Sequence, residues 1–362
     1  MRVFFYVQHL LGIGHLKRAA TLAKALRAAG FQVTLASGGE PVPGIEVLQL
    51  PAVSSPDFRQ LIDEHGKPVD DAWKARRREA LLQAFHAASP DALIVELFPF
   101  GRRQMRFELL PLLELAVRNN PRPLVVCSVR DILQPNPARE AEALERFTRY
   151  FDRLLVHADP KVVTLERSLP AAKHLAGKLH YTGYVVDDIS DAGEAGAGEV
   201  LVSAGGGAAG GRLLETAIQA RPLTRLRDCV WRILAGVNAK VLGGLRAEGV
   251  IVERARSDFT LRLKNCVLSV SQAGYNTVLE TLQARARAVL VPFAGGAECE
   301  QTLRARLLGE RGLVHVVEEG ALTAATLAAA IDRAAAGPWP AAGAIDLGGA
   351  RRSAELLREW LG

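Results

Sequence analysis

The chain of 362 residues contains few cysteines, methionines and aromatic residues. Its four cysteines form no CxxC pair and have no histidine cluster near them, which argues against a zinc site or a disulfide framework and favours a reducing, cytoplasmic setting. No segment approaches 18 uninterrupted apolar residues, so no membrane span is expected. The apolar start of the chain is interrupted by Gln8 and His9 and leads directly into a helical pattern, which indicates a buried first strand rather than a signal peptide.

Basic residues are in excess, with a formal net charge of +6. A basic surface favours anionic partners such as nucleotides, phosphorylated lipids, nucleic acids or membrane faces. The alternative is an arginine-rich composition without a specific anionic partner. That alternative stays open, because the basic residues are spread along the chain and only Arg76–Arg78 forms a run.

Short apolar runs alternate with helical patterns through the first half of the chain. This alternation is typical of a parallel sheet that helices cover on both faces. The predicted strands are Val3–Val7, Phe31–Ala36, Ile45–Leu50, Ala92–Val95, Leu124–Ser128, Arg153–Val156 and Lys178–Thr182. The predicted helices are His15–Ala29, Trp73–Ala88 and Met105–Asn119.

The composition changes at Asp187–Gly198, where small and acidic residues without apolar periodicity indicate a linker. The alternation then restarts, which predicts a second α/β domain. The strands predicted there are Val200–Ser203, Arg232–Leu234, Val250–Val252, Cys266–Val270 and Ala288–Val291, with a helix at Arg212–Gln219. We therefore expect two doubly wound, Rossmann-like domains, at residues 1–186 and 199–349, followed by an amphipathic tail helix within residues 350–362.

A glycine-rich turn follows the first strand and precedes a helix. Gly12 and Gly14 let the backbone approach a ligand closely, and the N–H groups of the helix start favour an anion. The third glycine of a dinucleotide fingerprint and the lysine of a P-loop are both absent. His15, in the first helical turn, suits a general base near neutral pH, although a helix-capping histidine is the alternative.

The second domain repeats this pattern. Its first strand leads into Gly205, Gly206 and Gly207, a loop that could cradle a diphosphate, with a plain turn as the alternative. Two such turns, one in each domain, indicate domains that face each other across a cleft.

A third motif, residues 271–280, reads S-x-A-G-x-N-T-x-x-E after an apolar run. Gly274, Asn276 and Thr277 suit a turn that feeds a helix start, and Glu280 lies where its carboxylate could accept two sugar hydroxyls. The alternative is an ordinary turn and helix cap. A strand ending in Val-Pro-Phe and a short loop then lead to Glu300 and Gln301 at the start of another helix. Polar groups at successive strand ends are where open α/β sheets bind ligands.

These motifs resemble the donor half of family 28 glycosyltransferases, to which the bacterial N-acetylglucosaminyl transferase of lipid-linked peptidoglycan synthesis belongs. The segment from Gly12 to Arg18, G-x-G-H-x-x-R, also resembles a related nucleotide-sugar hydrolase of pseudaminic acid synthesis. The resemblance is strongest over 265–330 and 1–37. It implies the GT-B fold, in which two Rossmann-like domains flank a cleft and the tail helix packs back on the first domain. The first domain would then bind the acceptor and the second domain the donor.

The resemblance also implies residue roles. His15 would be the general base, with Glu96 at a strand end as the second candidate. The donor would contact Gly12, Gly14, Gly205, Gly206, Gly207, Phe259, Leu263, Gln272, Gly274, Asn276, Thr277, Glu280, Glu300 and Gln301. In that scheme Phe259 or Leu263 lies near the base, Glu280 holds the ribose, and Glu300 and Gln301 read the sugar.

The expected reaction is transfer of a sugar from a nucleoside diphosphate donor, of the UDP type, to an acceptor hydroxyl. Inversion is expected without a metal or other cofactor, because backbone N–H groups and helix dipoles would stabilise the leaving diphosphate. No nucleic acid partner is expected. A nucleotide-sugar hydrolase and a non-catalytic nucleotide-sugar sensor remain alternatives.

The acceptor stays open, because Leu97–Leu110 has no counterpart that can be aligned. The segment Phe98–Leu110 mixes three phenylalanines with three arginines, a composition suited to an anionic lipid or membrane surface. It predicts a lipid-linked acceptor and a peripheral location at the inner face of the membrane. An ordinary loop and helix start is the alternative.

Overall fold

The computed structural model describes residues 1–56, 59–189, 192–205, 210–236, 247–295 and 299–362. Within them the chain divides into two compact units. One unit combines Met1–Val185 with Gly348–Gly362, and the other spans Val186–Leu347. Each unit is built on a parallel α/β sheet, as the alternation of apolar strands and helices predicts.

The N-terminal unit has a seven-stranded sheet. Its strands are β1 (Arg2–Val7), β2 (Gln32–Ser37), β3 (Leu48–Gln49), β6 (Ala92–Glu96), β7 (Leu124–Arg130), β8 (Arg153–His157) and β9 (Leu179–Tyr181). A separate antiparallel pair is formed by β4 (Val53–Ser54) and β5 (Ile62–Asp63). The seven strands lie in the order β3-β2-β1-β6-β7-β8-β9, so the chain reverses direction across the sheet between β1 and β6.

Helices cover both faces of this sheet, so its central strands are buried and apolar along their length. The helices are α1 (Gly14–Ala28), α2 (Asp71–Ala88), α3 (Arg106–Arg118), α4 (Pro137–Tyr150) and the C-terminal helix Gly349–Leu361. Two departures from the sequence predictions are clear. The strand predicted at Ile45–Leu50 shrinks to two residues, and α4 is an additional helix.

The C-terminal helix packs against α1. Leu356 and Leu357 share an apolar cluster with Leu16 and Leu22, and the Arg358 guanidinium donates a hydrogen bond to the Ala29 carbonyl. The start of this helix requires glycine, because a Cβ at Gly349 would lie 2.4 Å from the Gly183 carbonyl oxygen.

The C-terminal unit has a six-stranded parallel sheet. Its strands are β10 (Glu199–Ser203), β11 (Val230–Leu234), β12 (Val250–Glu253), β13 (Leu268–Ser271), β14 (Ala288–Leu290) and β15 (His315–Val316). Its described helices are α5 (Gly211–Ala220), α6 (Phe259–Asn265), α7 (Tyr275–Gln283), α8 (Glu300–Glu310) and α9 (Ala324–Ala336), so the C-terminal helix of the chain is α10. The strand order β12-β11-β10-β13-β14-β15 is that of a dinucleotide-binding sheet, with its reversal between β10 and β13.

The described part of the predicted linker lies in the C-terminal unit. The Asn265 side-chain amide donates hydrogen bonds of 3.0 Å to the carbonyls of Gly193 and Ala195, which holds the segment against the end of α6. Residues 190 and 191 of the linker are outside the described residues.

In the part of the chain that the structure describes, no helix is long and apolar enough to cross a membrane. The same residues contain no cluster of three metal-ligating side chains. None of the four cysteines forms a disulfide bond, and two of them are buried.

Candidate functional site

His15 and Glu96 meet at the point where the N-terminal sheet reverses. β1 and β6 are neighbouring parallel strands, so the helix after β1 and the carboxyl end of β6 lie at one sheet edge. His15 Nδ1–H donates a hydrogen bond of 2.8 Å to Glu96 Oε1, which leaves Nε2 as the basic nitrogen of the ring. The Glu96 side chain is 2% exposed, whereas that of His15 is 15% exposed.

Arg18 lies one turn after His15 on α1, and its guanidinium donates a hydrogen bond to Glu96. It is buried, as is the carboxylate. Burial by itself raises the pKa of Glu96, but Arg18 and His15 more than offset that effect and lower it. Glu96 is therefore ionised at neutral pH and accepts hydrogen bonds from both His15 and Arg18. Sequence reasoning assigned Arg18 no role, although its spacing of three residues from His15 on a helix was a usable signal.

The His15 imidazole is neutral in this environment. Burial, with a further contribution from the Arg102 guanidinium, lowers the pKa of His15 to about 3, against the opposing effect of Glu96. A neutral ring can accept a proton at pH 7, and the Glu96 carboxylate then stabilises the imidazolium that forms. Arg102 itself is held by donating a hydrogen bond of 2.7 Å to the Gln8 carbonyl.

A buried ion pair supports the turn that leads to His15. Arg77 and Glu108 are both fully buried, and the guanidinium donates hydrogen bonds of 2.7 and 2.9 Å to the two carboxylate oxygens. Arg77 also donates to Gln8 Oε1 and to the carbonyls of Gly38 and Pro51. This network connects α2 and α3 to the end of β1.

Replacing Arg77 by lysine is expected to lower the free energy of unfolding by about 1–3 kcal/mol. Lysine keeps the charge but cannot reproduce the planar fork, so buried acceptors lose their partners. Urea unfolding measures the change. Arg78→Lys is the matched control, because Arg78 lies beside it on α2 but is exposed, and its effect should stay within about 0.5 kcal/mol. If Arg77→Lys and Arg78→Lys were equally stable, Arg77 would not support the turn that leads to His15.

In the C-terminal unit, the predicted glycine loop and the third motif flank the corresponding reversal point. Gly205 follows β10 with a φ of +70°, and a Cβ placed there would lie 3.8 Å from Thr277 Oγ1. The Gln272 backbone N–H donates a hydrogen bond of 3.3 Å to the Ser203 carbonyl. Gly236 makes room for the loop, since a Cβ there would lie 2.4 Å from the Gly205 carbonyl oxygen. Gly206 and Gly207 lie outside the described residues.

Two helices begin beside this point without a side-chain cap. Gly274 is the N-cap of α7, whose first turn contains Asn276 and Thr277, and Glu280 is half-buried further along that helix. Helix starts of this kind attract anions, because their N–H groups and dipoles point outward. Cys299 is the N-cap of α8, which begins with Glu300.

The side chains at the start of α8 are tied to the same sheet edge. The Arg304 guanidinium donates a hydrogen bond of 2.9 Å to Glu300 and another of 3.0 Å to the Ala273 carbonyl. Gln301 Oε1 accepts a hydrogen bond of 3.2 Å from the Phe293 backbone N–H. Arg304 is 2% exposed and was not among the predicted site residues.

The two residues predicted to lie near the nucleotide base occupy different positions. Phe259 is half-buried at the start of α6. Leu263 is fully buried in a cluster with Leu201, Leu234 and Cys266. The side chain of Leu263 belongs to the core between α6 and the sheet, and the position of Phe259 or Leu263 near the base stays a prediction. Of the other predicted residues in the first turn, Gly14 begins α1 and Gly12 is exposed just before it.

Comparison with known proteins gives one family match and many similar folds. Residues 249–341 match the model of the glycosyltransferase family 28 C-terminal domain. No curated protein matches the chain. Among solved structures, the glycotransferase of kitacinnamycin has a TM-score of 0.67 and 19% identity, over 100% of this chain and 99% of that one.

Two further structures each align over 99% of this chain and 99% of their own chain. MurG of Acinetobacter baumannii has a TM-score of 0.59 and 14% identity. The glycosyltransferase SsfS6 of Streptomyces sp. SF2575, in complex with thymidine diphosphate, has a TM-score of 0.61 and 17% identity. The chain thus has the two-domain fold of GT-B glycosyltransferases, and residues 249–341 of its C-terminal unit are similar to the glycosyltransferase family 28 C-terminal domain.

Proposed function

We propose that the protein transfers a sugar, with inversion, from a nucleoside diphosphate donor to an acceptor hydroxyl. The observation that carries the proposal is the hydrogen bond between His15 and Glu96 at the reversal point of the first sheet. An imidazole on a buried carboxylate is the usual device for removing a proton from a hydroxyl as that oxygen attacks.

The proposed step is a single displacement. The acceptor oxygen forms a bond to the anomeric carbon while the bond from that carbon to the diphosphate oxygen breaks. The hydroxyl proton moves to His15 Nε2, and the electron pair of the broken bond leaves with the diphosphate. One displacement inverts the anomeric centre. A double displacement would need a carboxylate nucleophile, and Glu96 is buried and paired with Arg18, so it is unsuited to that role.

We place the donor on the C-terminal unit, at the reversal point between β10 and β13. The starts of α7 and α8, with Gly274 and Thr277, present N–H groups toward a diphosphate beside Gly205, and Asn276, Gln272, Glu300 and Gln301 contribute polar side chains. The family match over 249–341 and the thymidine diphosphate in the SsfS6 complex support this placement. We propose that these dipoles stabilise the leaving group without a metal ion.

The reaction is tested by incubating the purified protein with UDP- and TDP-sugars, with and without hydroxyl acceptors. Nucleoside diphosphate release that requires an acceptor is the expected result, and EDTA should change the rate by less than about twofold. Release without any acceptor would identify a hydrolase instead. Tight donor binding without release would identify a sensor, and either outcome would overturn the proposal.

Replacing Glu280 by alanine is expected to weaken donor binding by about 10- to 150-fold. A carboxylate that accepts ribose hydroxyls makes charge-assisted hydrogen bonds worth about 1.5–3 kcal/mol. Calorimetric titration with the nucleoside diphosphate measures the change. The Glu310→Ala variant, at the far end of α8, serves as the control and should bind as the parent does. Unchanged affinity in Glu280→Ala would remove this residue from the donor site.

A further inference from the structure

A cavity of about 680 Å³ opens in the N-terminal unit. Its walls are three segments that follow three neighbouring strands, namely 98–106 after β6, 133–146 after β7 and 167–170 after β8. Carboxyl ends of parallel strands share one edge of a sheet, so the cavity lies on the same edge as His15 and Glu96. Its volume suits a small organic molecule rather than a single ion.

Positive charge dominates this cavity. Five arginines line it, namely Arg103, Arg106, Arg139, Arg146 and Arg167, against the two carboxylates of Glu140 and Glu142. The Glu142 carboxylate alone forms ion pairs with three of these guanidinium groups. Its oxygens lie 3.3 Å from a nitrogen of Arg106, 3.8 Å from one of Arg139 and 2.6 Å from one of Arg146. Glu140 accepts a hydrogen bond from the Ala171 backbone N–H. The carboxylates thus leave most of the arginine charge uncompensated.

A helix start adds to the positive potential of the cavity, and the pKa of Arg103 reflects that potential. Helix α4, of 14 residues, begins at Pro137 in the cavity wall, and its N-cap Asn136 makes no side-chain cap. The pKa of Arg103 is lowered, by desolvation first and then by the charges of Arg139 and Arg106, as expected where cations crowd together.

Much of the remaining wall is apolar and firmly packed. Phe98 is 1% exposed and Leu133 is 3% exposed, and the Phe100 ring packs on Phe147 at 5.7 Å between centroids. Phe98 faces the inside of the unit, so it cannot insert into a membrane, contrary to what the composition of Phe98–Leu110 suggests. A cavity lined by both apolar side chains and arginines fits a small amphiphile better than it fits a lipid surface.

The cavity and the proposed base share a segment of chain. Phe98 follows Glu96 by two residues, and Arg102 ties the same segment to the Gln8 carbonyl in the turn that leads to His15. A molecule held in the cavity therefore lies at the same sheet edge as the group that would deprotonate an acceptor.

We propose that this cavity binds the acceptor, and that the acceptor is an anionic amphiphile, with a phosphate, sulfate or carboxylate group attached to an apolar body. That the ligand is the acceptor rests on the proposed function, whereas the chemical class of the ligand rests on the cavity itself. The arginines and the start of α4 would hold the anionic group, while Phe98, Leu133 and Leu169 contact the apolar body.

Binding is tested with a fluorescent anion of the proposed class, 8-anilinonaphthalene-1-sulfonate, against its neutral counterpart N-phenyl-1-naphthylamine. We expect the double variant Arg139→Gln/Arg146→Gln to weaken binding of the sulfonate by about tenfold or more and of the neutral probe by less than about threefold. Arg149→Gln, an exposed arginine on α4 that does not line the cavity, is the matched control and should bind both probes as the parent does.

Thermal unfolding checks that the variants are folded; if the double variant is not, the single variant Arg139→Gln is expected to show a loss of about threefold or more. Equal sulfonate binding by parent and folded variants would overturn the proposal. A loss of co-sedimentation with phosphatidylglycerol vesicles, while sulfonate binding stays unchanged, would also overturn it and assign the arginines to a membrane surface.

The role as acceptor is tested separately with two matched naphthols, 2-naphthol and 6-hydroxynaphthalene-2-sulfonate. We expect the sulfonate to be glycosylated with a kcat/KM about tenfold higher, and the double variant to lose that preference. No transfer to either naphthol, with the probe result intact, would overturn the acceptor role and leave the ligand class standing. Faster transfer to 2-naphthol than to the sulfonate would contradict the inference.

Discussion

Replacing His15 by alanine is expected to lower turnover by about 100- to 10,000-fold while donor affinity stays within about threefold of the parent. General-base catalysis typically contributes that factor. The His15 ring is held by Glu96 in the N-terminal unit, whereas the donor is proposed to bind the C-terminal unit, so the substitution should leave donor binding largely intact. Steady-state kinetics and a donor titration separate the two effects.

Lys17→Ala is the matched control for this prediction, because Lys17 is exposed on the same turn of α1 and should keep parent turnover. Turnover of His15→Ala within a few-fold of the parent would mean that the base lies elsewhere. A collapse of donor affinity together with turnover would make His15 a phosphate or sugar ligand.

The pH profile provides a second measurement on the same residue. A base acts when it is deprotonated, and burial lowers the pKa of His15 to about 3, so the active neutral form predominates at all pH values above that. The kcat/KM of the parent should therefore show no acid limb from His15 between pH 5 and 8. An acid limb near pH 6.5 that is absent from His15→Ala would show that the imidazole titrates as an exposed histidine does.

Replacing Glu96 by glutamine is expected to lower turnover by about 100- to 1,000-fold. The carboxylate accepts the hydrogen bond from His15 Nδ1–H, which leaves Nε2 as the proton acceptor, and it stabilises the imidazolium. A glutamine amide can donate to Nδ1 and so select the tautomer whose Nε2 carries the proton. Because Glu96 raises the pKa of His15, its removal keeps the ring neutral, so the loss should be constant between pH 5 and 8.

A double variant distinguishes positioning from separate catalysis. If Glu96 acts through His15, then His15→Ala/Glu96→Gln should be no slower than His15→Ala alone. If the turnover of the double variant instead falls by the product of the two single losses, Glu96 contributes independently of His15. Because Arg18 pairs with Glu96, urea unfolding of Glu96→Gln shows whether the lower rate reflects loss of the folded state.

Much of the architecture was predictable because secondary-structure period and burial are local properties of sequence. Continuous apolar runs gave the correct positions of β1, β6, β7, β8 and β10, since a strand covered by helices on both faces must be apolar throughout. Helix α9 was missed because its many alanines blur any amphipathic pattern. Helix α4 could have been found from Ala143, Phe147 and Tyr150, spaced by four and three residues on one buried face.

The candidate residues were only partly predictable. His15, Gly274 and Thr277 could be named because a glycine-rich turn or a cap at a helix start has a short-range signature. The burial of Leu263 was not predictable, because a leucine near a helix end can pack in a core as readily as against a ligand. Arg18 and Arg102 were given no role at the candidate base, since Glu96 and Gln8, the residues to which they donate hydrogen bonds, are 78 and 94 positions away along the chain. Arg304 was also given no role, although its partner Glu300 is only four positions away.

The sequence by itself determined the strand and helix alternation, the glycine-rich turns and the chemical groups at strand ends. Only the tertiary structure decided which of those groups meet. His15 and Glu96 are 81 positions apart, and they pair because β6 lies next to β1, on the side away from β2. The arginine-lined cavity arises in the same way, from three segments that follow β6, β7 and β8. Strand order is a property of the whole sheet, set by the simultaneous burial of all its helices and strands, and no local pattern encodes it.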